Sequence, residues 1–261
     1  MEVIMYQITK AKKLADKIYL MDVVAPRVAA NCLPGQFIIA KVDKEGERIP
    51  LTICDYDREE GTITIVFQTV GASTEKMAQL KAGDSFRDFT GPLGCPSELI
   101  SEDIESLKNK KILFVAGGVG AAPVYPQVKW MHAHGIDVDV IVGSKTKDML
   151  ILEKEMEAVA GNYYPCTDDG TYGHAGMVTT KIEALVAEGN KYDVCVAIGP
   201  MIMMKFVCLL TKKLEIPTIV SMNPIMVDGT GMCGACRLHV GDEIKFACVD
   251  GPEFDGHLVN F

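Results

Sequence analysis

The stretch Ile112-Leu-Phe-Val-Ala-Gly-Gly-Val-Gly-Ala-Ala-Pro123 decides how this chain is read. Ile112 to Val115 is an uninterrupted apolar run, too short for a helix and suited to a strand buried on both faces. Three glycines follow in a turn, and Pro123 stands where a helix can open and run to about His134. Such a turn presents unpaired backbone N–H groups and a positive dipole end with no Cβ in the way, so Gly117, Gly118, Gly120, Ala121 and Pro123 are candidates for holding a dinucleotide pyrophosphate. The spacing lacks the full G-x-G-x-x-G, and a plain turn that packs helix against sheet is the equal alternative.

Downstream the pattern repeats. Val138 to Val142 reads as a strand, Ile151 to Ala160 as a helix, Tyr163-Tyr164 as the edge of a third strand, and Val178 to Glu188 as a helix. Val194 to Ile198 and Pro200 to Lys213 give another pair. Strands alternating with helices predict βαβ units and a parallel sheet. Gly143-Ser144 and Gly199-Pro200 fall at predicted strand C-termini, where open α/β sheets bind ligands. Asp168-Asp169-Gly170 suits a cofactor rim or an ordinary turn. Lys145 and Lys147 could accept a 2′-phosphate or could be a solvated pair.

Upstream the chain reads as β structure. Thr62 to Gln68 alternates polar and apolar residues after a charged turn ending in Gly61, while Asp16 to Val24 and Gln36 to Val42 are shorter strand candidates. Short strands at this spacing suggest a small antiparallel barrel. Within it, Arg48 offers a forked donor to phosphate or carboxylate, and Pro50 stiffens a backbone that, through Leu51 and Thr52, can offer N–H and C=O to a planar ring. Gly71, Ser73 and Thr74 form a turn that could cap a helix and donate to a phosphate. A surface arginine and a plain helix cap are the bland alternatives. A shift to charge and serine around Ser101 to Lys111 separates the two halves. The expected division is a barrel over 1–105, an α/β domain over 106–222 and a C-terminal segment over 223–261.

That last segment breaks the period. Of nine cysteines, three crowd into it, as Cys233, Cys236 and Cys248. The other six, Cys32, Cys54, Cys95, Cys166, Cys195 and Cys208, read as packing thiols. Asp228-x4-Cys233-x2-Cys236-x11-Cys248 follows the plant-type [2Fe–2S] spacing, with aspartate in the first ligand place and glycines at 229, 231 and 234 that let a loop wrap a cluster. Zinc on the three thiols with His239 or Asp228, or three structural thiols, are the alternatives. With so many glycines the segment is expected to need its metal group to fold.

Composition removes other classes. Lys and Arg number 26 against 35 Asp and Glu, and the net charge of −9 opposes nucleic acid and anionic membranes. No apolar run reaches the length of a membrane span, and Lys10, Lys12 and Lys13 interrupt any leader-like start. A cytoplasmic globular protein is expected, with thiols free rather than paired.

Arg48-Ile-Pro-Leu-Thr52, Gly91-Pro-Leu-Gly94, Gly117 to Pro123, Met226 to Cys236 and Ala247 to Phe254 together resemble one family over essentially the whole chain. It is the small subunit of NADH-dependent ferredoxin:NADP+ oxidoreductase, also called sulfide dehydrogenase subunit, within the ferredoxin reductase superfamily. A related family is the electron-transfer subunit of dihydroorotate dehydrogenase B. That family has four cysteine ligands, so Asp228 favours the former. The resemblance implies a FAD-binding antiparallel barrel, a parallel-sheet NAD-binding domain and a small [2Fe–2S] tail. It implies Arg48 and Thr74 near the flavin pyrophosphate, and Pro50 to Thr52 near the isoalloxazine and ribityl. Gly117 to Pro123, Gly143, Ser144, Gly199 and Pro200 fall on the nicotinamide dinucleotide side, and Asp228, Cys233, Cys236 and Cys248 on the cluster. The implied activity passes electrons between NAD(H), FAD and the cluster without a protein acid or base. The implied partner is a larger flavin and iron–sulfur subunit that handles ferredoxin and NADP(H) and performs electron bifurcation.

Overall fold

A computed structural model of the chain describes residues 6–261. Seven antiparallel strands come first: β1 (Tyr6–Ala15), β2 (Ile18–Val24), β3 (Phe37–Lys41), β4 (Ile49–Asp57), β5 (Thr62–Gln68), β6 (Ser85–Phe86) and β7 (Asp88–Leu93), in the order β6-β1-β2-β5-β4-β3-β7. Arg87 alone separates the two outermost strands, so the sheet curls until its edges nearly meet. Tyr6 on β1 and Phe89 on β7 touch across this seam, ring centroids 5.6 Å apart. The expected barrel is therefore present. Its interior holds Ile8, Met21, Val23, Ile38, Ile53, Ile63, Ile65 and Phe67. Helix α1 (Pro26–Asn31) crosses after β2, and α2 (Ala72–Met77) follows β5.

After α3 (Ile104–Lys108) the second sheet begins. Its strands are β8 (Ile112–Gly117), β9 (Asp139–Ser144), β10 (Asn162–Thr167), β11 (His174–Ala175), β12 (Val194–Ile198) and β13 (Thr218–Ser221), all parallel. Helices α4 (Ala121–Ala133), α5 (Glu153–Glu157), α6 (Val178–Ala187) and α7 (Met201–Lys213) connect them. The order β11-β10-β9-β8-β12-β13 reverses direction between β8 and β12, which is the topological switch point where such sheets take ligands. Alternate residues of β8 face opposite cores: Ile112, Phe114 and Ala116 pack with α4 on one face, and Leu113 and Val115 with α6 and α7 on the other.

The C-terminal segment is less independent than its glycine content predicts. A hairpin, β14 (Arg237–Val240) with β15 (Glu243–Phe246), precedes β16 (Glu253–Asp255), which returns to pair antiparallel with β13. Met226, Cys236, Ala247, Cys248, Phe254 and Val259 are buried in the same core as β8 and α7. Apolar packing thus anchors a segment that composition alone assigns to a metal group. No helix among the described residues is long and apolar enough to cross a membrane.

Three parts of the chain converge on one buried polar junction. Gln127 of α4 donates to Glu253 Oε1 at 2.6 Å, and Ser97 Oγ donates to Gln127 Oε1 at 3.1 Å. Glu253 Oε2 is buried with no hydrogen-bond partner. Burial raises the Glu253 carboxyl above the ordinary carboxylate range. A raised folded-state pKa favours the folded protein below the unfolded carboxyl value, and that contribution is lost as pH rises through the folded value. Urea unfolding measured from pH 4.5 upward is expected to show this loss in the native chain. Glu253→Gln flattens that part of the profile, and an unchanged profile contradicts the assignment.

Candidate functional site

The two sheets leave a cleft of about 830 Å³ between them. The barrel supplies Arg48, Pro50, Leu51 and Thr52 from the start of β4, Val66 to Gln68 from β5, and Thr74 from α2. The parallel sheet supplies Val119, Gly120, Ala122 and Pro123 from the glycine turn, and Ile198 and Gly199 from the end of β12. A third wall is Ser221 and the run from Asn223 to Val227, which leaves β13 for the cysteine loop. Helix α4 fixes the two domains against each other, its Lys129 ammonium lying 2.8 Å from both carboxylate oxygens of Asp55 on β4.

Eight of the residues singled out in the sequence meet in this cleft: Arg48, Pro50, Leu51, Thr52, Thr74, Gly120, Pro123 and Gly199. Gly71, Ser73, Gly117, Gly118, Ala121, Gly143, Ser144 and Pro200 do not line it. Thr74 is a working part of its turn. Its Oγ1 accepts from the N–H groups of Val70 at 2.9 Å and Gly71 at 3.2 Å and donates to the Gly71 carbonyl at 2.9 Å. Ser73 is turned to the Glu47 carboxylate. Ser144 donates to the Thr146 carbonyl, and the Lys147 ammonium lies 4.3 Å from the centroid of the Tyr172 ring. Val119, inside the Gly117 to Pro123 run, lines the cleft as well; the cleft residues that sequence reasoning missed include Ser221 and Asn223 to Ile225, where Asn223-Pro224 marks only a turn.

The glycines divide by cause. A Cβ on Gly120 would stand 2.2 Å from the Ile198 carbonyl oxygen, and one on Gly117 would stand 2.4 Å from Met203 Sδ. A Cβ on Gly199 would lie 3.0 Å from Gly117 N, and one on Gly143 would meet Val178 at 2.4 Å. These four let strands and helices approach closely, which is the packing explanation. Gly118 differs, because its φ is +54° and no atom stands within 4 Å of where its Cβ would be. It is the position in the turn where nothing packs against the backbone, just before the 13-residue helix α4.

In the C-terminal loop, the sulfurs of Cys236 and Cys248 lie 3.2 Å apart, both buried, and the Cys248 N–H points at Cys236 Sγ at 3.5 Å. Burial, then the neighbouring Cys236, pushes the Cys248 thiol up to about 11. Cys233 is exposed. Asp228 accepts from the N–H groups of Thr230 at 2.8 Å and Cys233 at 2.7 Å, and these bonds, Thr230 first, hold its carboxyl below the usual range. Among the described residues no three His, Cys, Asp or Glu side chains come together as a metal set, so neither the Asp228 set nor the zinc set with His239 stands assembled. The donors still fit an iron–sulfur group. Two thiols converge, and a thiol and a carboxylate lie on one loop whose Gly229, Gly231 and Gly234 all have positive φ. Cys95 departs from expectation. It is exposed, its Sγ donating to the Val249 carbonyl at 3.1 Å, because the turn after β7 runs over the surface beside the cysteine loop.

The packing account of the glycines has a direct consequence for stability. Gly120→Ala is expected to cost about 3 kcal/mol through forced separation of α4 from β12, whereas Gly118→Ala costs about 1 kcal/mol for its left-handed backbone alone. Urea unfolding of the two variants checks this order, and the reverse order contradicts it.

Comparison with known proteins bears out the architecture and the cofactor classes. Residues 223–260 match the iron–sulfur cluster binding domain of dihydroorotate dehydrogenase B, which decides against zinc, and residues 114–209 match the oxidoreductase NAD-binding domain. An uncharacterized protein of Clostridium beijerinckii is 64% identical over 98% of this chain and 87% of its own. The dihydroorotate dehydrogenase B electron-transfer subunit homolog of Thermotoga maritima is 44% identical, again over 98% and 87%. A chain of the NADH-dependent reduced ferredoxin-NADP oxidoreductase, solved for insight into flavin-based electron bifurcation, superposes with a TM-score of 0.90 at 41% identity, covering 99% of this chain and 91% of that one. With its barrel, switch-point cleft and cysteine loop, the chain belongs to the ferredoxin reductase-like family of electron-transfer subunits that includes those of dihydroorotate dehydrogenase B.

Proposed function

We propose that this chain is the NAD(H)-linked flavoprotein subunit of an electron-bifurcating NADH-dependent ferredoxin:NADP+ oxidoreductase, that its cluster is [2Fe–2S], and that Asp228, Cys233, Cys236 and Cys248 hold it. The observation that carries the reading is the aspartate at the head of a loop whose other three donors are cysteines, in a chain that superposes over nearly its full length on a subunit of a bifurcating enzyme. FAD and the cluster, when bound, supply the conversion between two-electron hydride chemistry and one-electron transfer.

The protein's own part is to bind, orient and exclude water. Arg48, which lines the cleft, would grip the flavin pyrophosphate, with Thr74 shaping the turn beside it because its hydroxyl is committed to that turn, and Pro50, Leu51 and Thr52 would face the flavin ring. Gly118 and the first-turn N–H groups of α4, with Gly117, Gly120, Ala121 and Pro123, offer a place for the nicotinamide dinucleotide, Gly143, Ser144, Gly199 and Pro200 forming its far side. Val66, Phe67, Val119 and Met226 make the walls apolar, which keeps water from a hydride path. No acid, base or nucleophile is required.

A larger flavin and iron–sulfur subunit is the proposed partner, in a cytoplasmic complex. Val70, Ile225, Met232 and Val249, at the cleft mouth and on the cysteine loop, are large apolar residues left exposed, and a monomer gains nothing from them. The second reading is the electron-transfer subunit of dihydroorotate dehydrogenase, favoured by the domain matched at residues 223–260.

The tests separate these. Protein prepared without oxygen should give an EPR signal on reduction. Asp228→Ala should lose or weaken it, and Asp228→Cys should keep it at an altered potential; a spectrum unchanged from the native one in both variants would sink the ligand assignment. The native complex should couple NADH and reduced ferredoxin to NADP+ reduction, whereas orotate-dependent oxidation of NADH assigns it to the second reading.

A further inference from the structure

Arg48 has a second task beyond the one its place in the cleft suggests. Its Nε donates to the Val227 carbonyl at 2.9 Å, across 179 positions of sequence, and its Nη1 donates to Asp88 Oδ2 on β7 at 2.7 Å. A guanidinium carries five N–H donors, so these two bonds leave three uncommitted. The carbonyl of Val227 and the N–H of Asp228 belong to one planar peptide unit. Holding that oxygen fixes the plane from which Asp228 departs.

The residue on the other side of Asp228 is also pressed against the barrel. Gly229 has a φ of +77°, and a Cβ there would stand 2.6 Å from Ile39 Cδ1 and 2.8 Å from Leu93 Cδ1. Ile39 lies on β3 and Leu93 ends β7. The backbone on both sides of Asp228 therefore rests on the barrel. Cys236 and Cys248 take their place from the core beneath the parallel sheet.

We infer that Arg48, anchored by Asp88, is a positioning residue for Asp228, tying the cysteine loop to the flavin-side barrel independently of any phosphate it binds. The inference rests on the reading of Asp228 as a cluster ligand. It gives one side chain a stake in both redox sites, since the guanidinium that faces the cleft also sets the peptide leading into the first ligand position. The part-exposed Asp88 carboxylate holds the guanidinium through a charge-assisted hydrogen bond.

The test uses the full chain, loaded with its cluster without oxygen, with FAD and after flavin removal. Iron release to a ferrous chelator and the EPR spectrum of the reduced cluster are measured for the native chain, Arg48→Gln, Asp88→Asn and Asp228→Ala. Loss of a charge-assisted hydrogen bond predicts about tenfold faster iron release in Arg48→Gln with a shifted spectrum, both persisting without FAD. Asp88→Asn, at a residue outside both the cleft lining and the cysteine loop, should fall between that variant and the native chain, and it decides the matter if Arg48→Gln does not fold. Native release rates and superimposable spectra in the FAD-free Arg48→Gln and Asp88→Asn proteins, with the cluster lost in Asp228→Ala, overturn the tether and leave the ligand reading standing. A native spectrum in Asp228→Ala removes the ligand reading and this inference with it.

Discussion

The backbone between Ser221 and Asp228 is the constraint on which the rest of this molecule depends. It leaves β13, forms one wall of the cleft and ends at the first residue of the cysteine loop. Its conformation is set from three directions. Pairing of β13 with β12 and β16 fixes its start, burial of Met222 and Met226 fixes its middle, and the Arg48 guanidinium holds its last carbonyl. That run has neither helix nor strand to satisfy its backbone; the Met222 N–H donates to the Pro252 carbonyl, and an arginine from the barrel takes the Val227 carbonyl.

This arrangement explains why the barrel and the parallel sheet act as one unit. The cleft exists only where both meet, and its walls come from segments separated by up to 180 residues of sequence. Lys129 and Asp55 clamp α4 to β4, while the buried junction of Ser97, Gln127 and Glu253 joins the linker, α4 and the last strand. Those contacts are the physical means by which a flavin side and a dinucleotide side keep a fixed spacing. Hydride transfer is sensitive to that spacing, since reacting atoms must be held within about 3.5 Å of each other.

Much of this was legible in the residues, for identifiable reasons. Ile112 to Val115 reads as a buried strand because its apolar run is short, and β8 begins at Ile112 and extends two residues further, to Gly117. The helices at 178 and 201 start where their apolar spacing begins. The charged strand β1 escaped notice because Lys10, Lys12 and Lys13 hide the alternation on a strand whose side chains are mostly solvated. Helix α5 is half the predicted length, since the residues from Ala158 to Gly161 turn back toward β10 instead of continuing the helix. The division of the glycines into packing and open positions could not be read from spacing, because it depends on what lies opposite each one. The same holds for Cys95, whose exposure is decided by the neighbouring loop, and for the Arg48 to Val227 bond, which no local pattern encodes.

The claim that unites these features is that one chain carries electrons from a nicotinamide cleft to a cysteine loop. The most direct measurement is anaerobic titration of the full chain, loaded with FAD and its cluster, with NADH while flavin absorption and the cluster EPR signal are followed together. The account predicts that flavin absorption bleaches and the cluster signal grows in the same titration, without any partner subunit. Bleaching with a silent cluster, or no response to NADH at all, contradicts it.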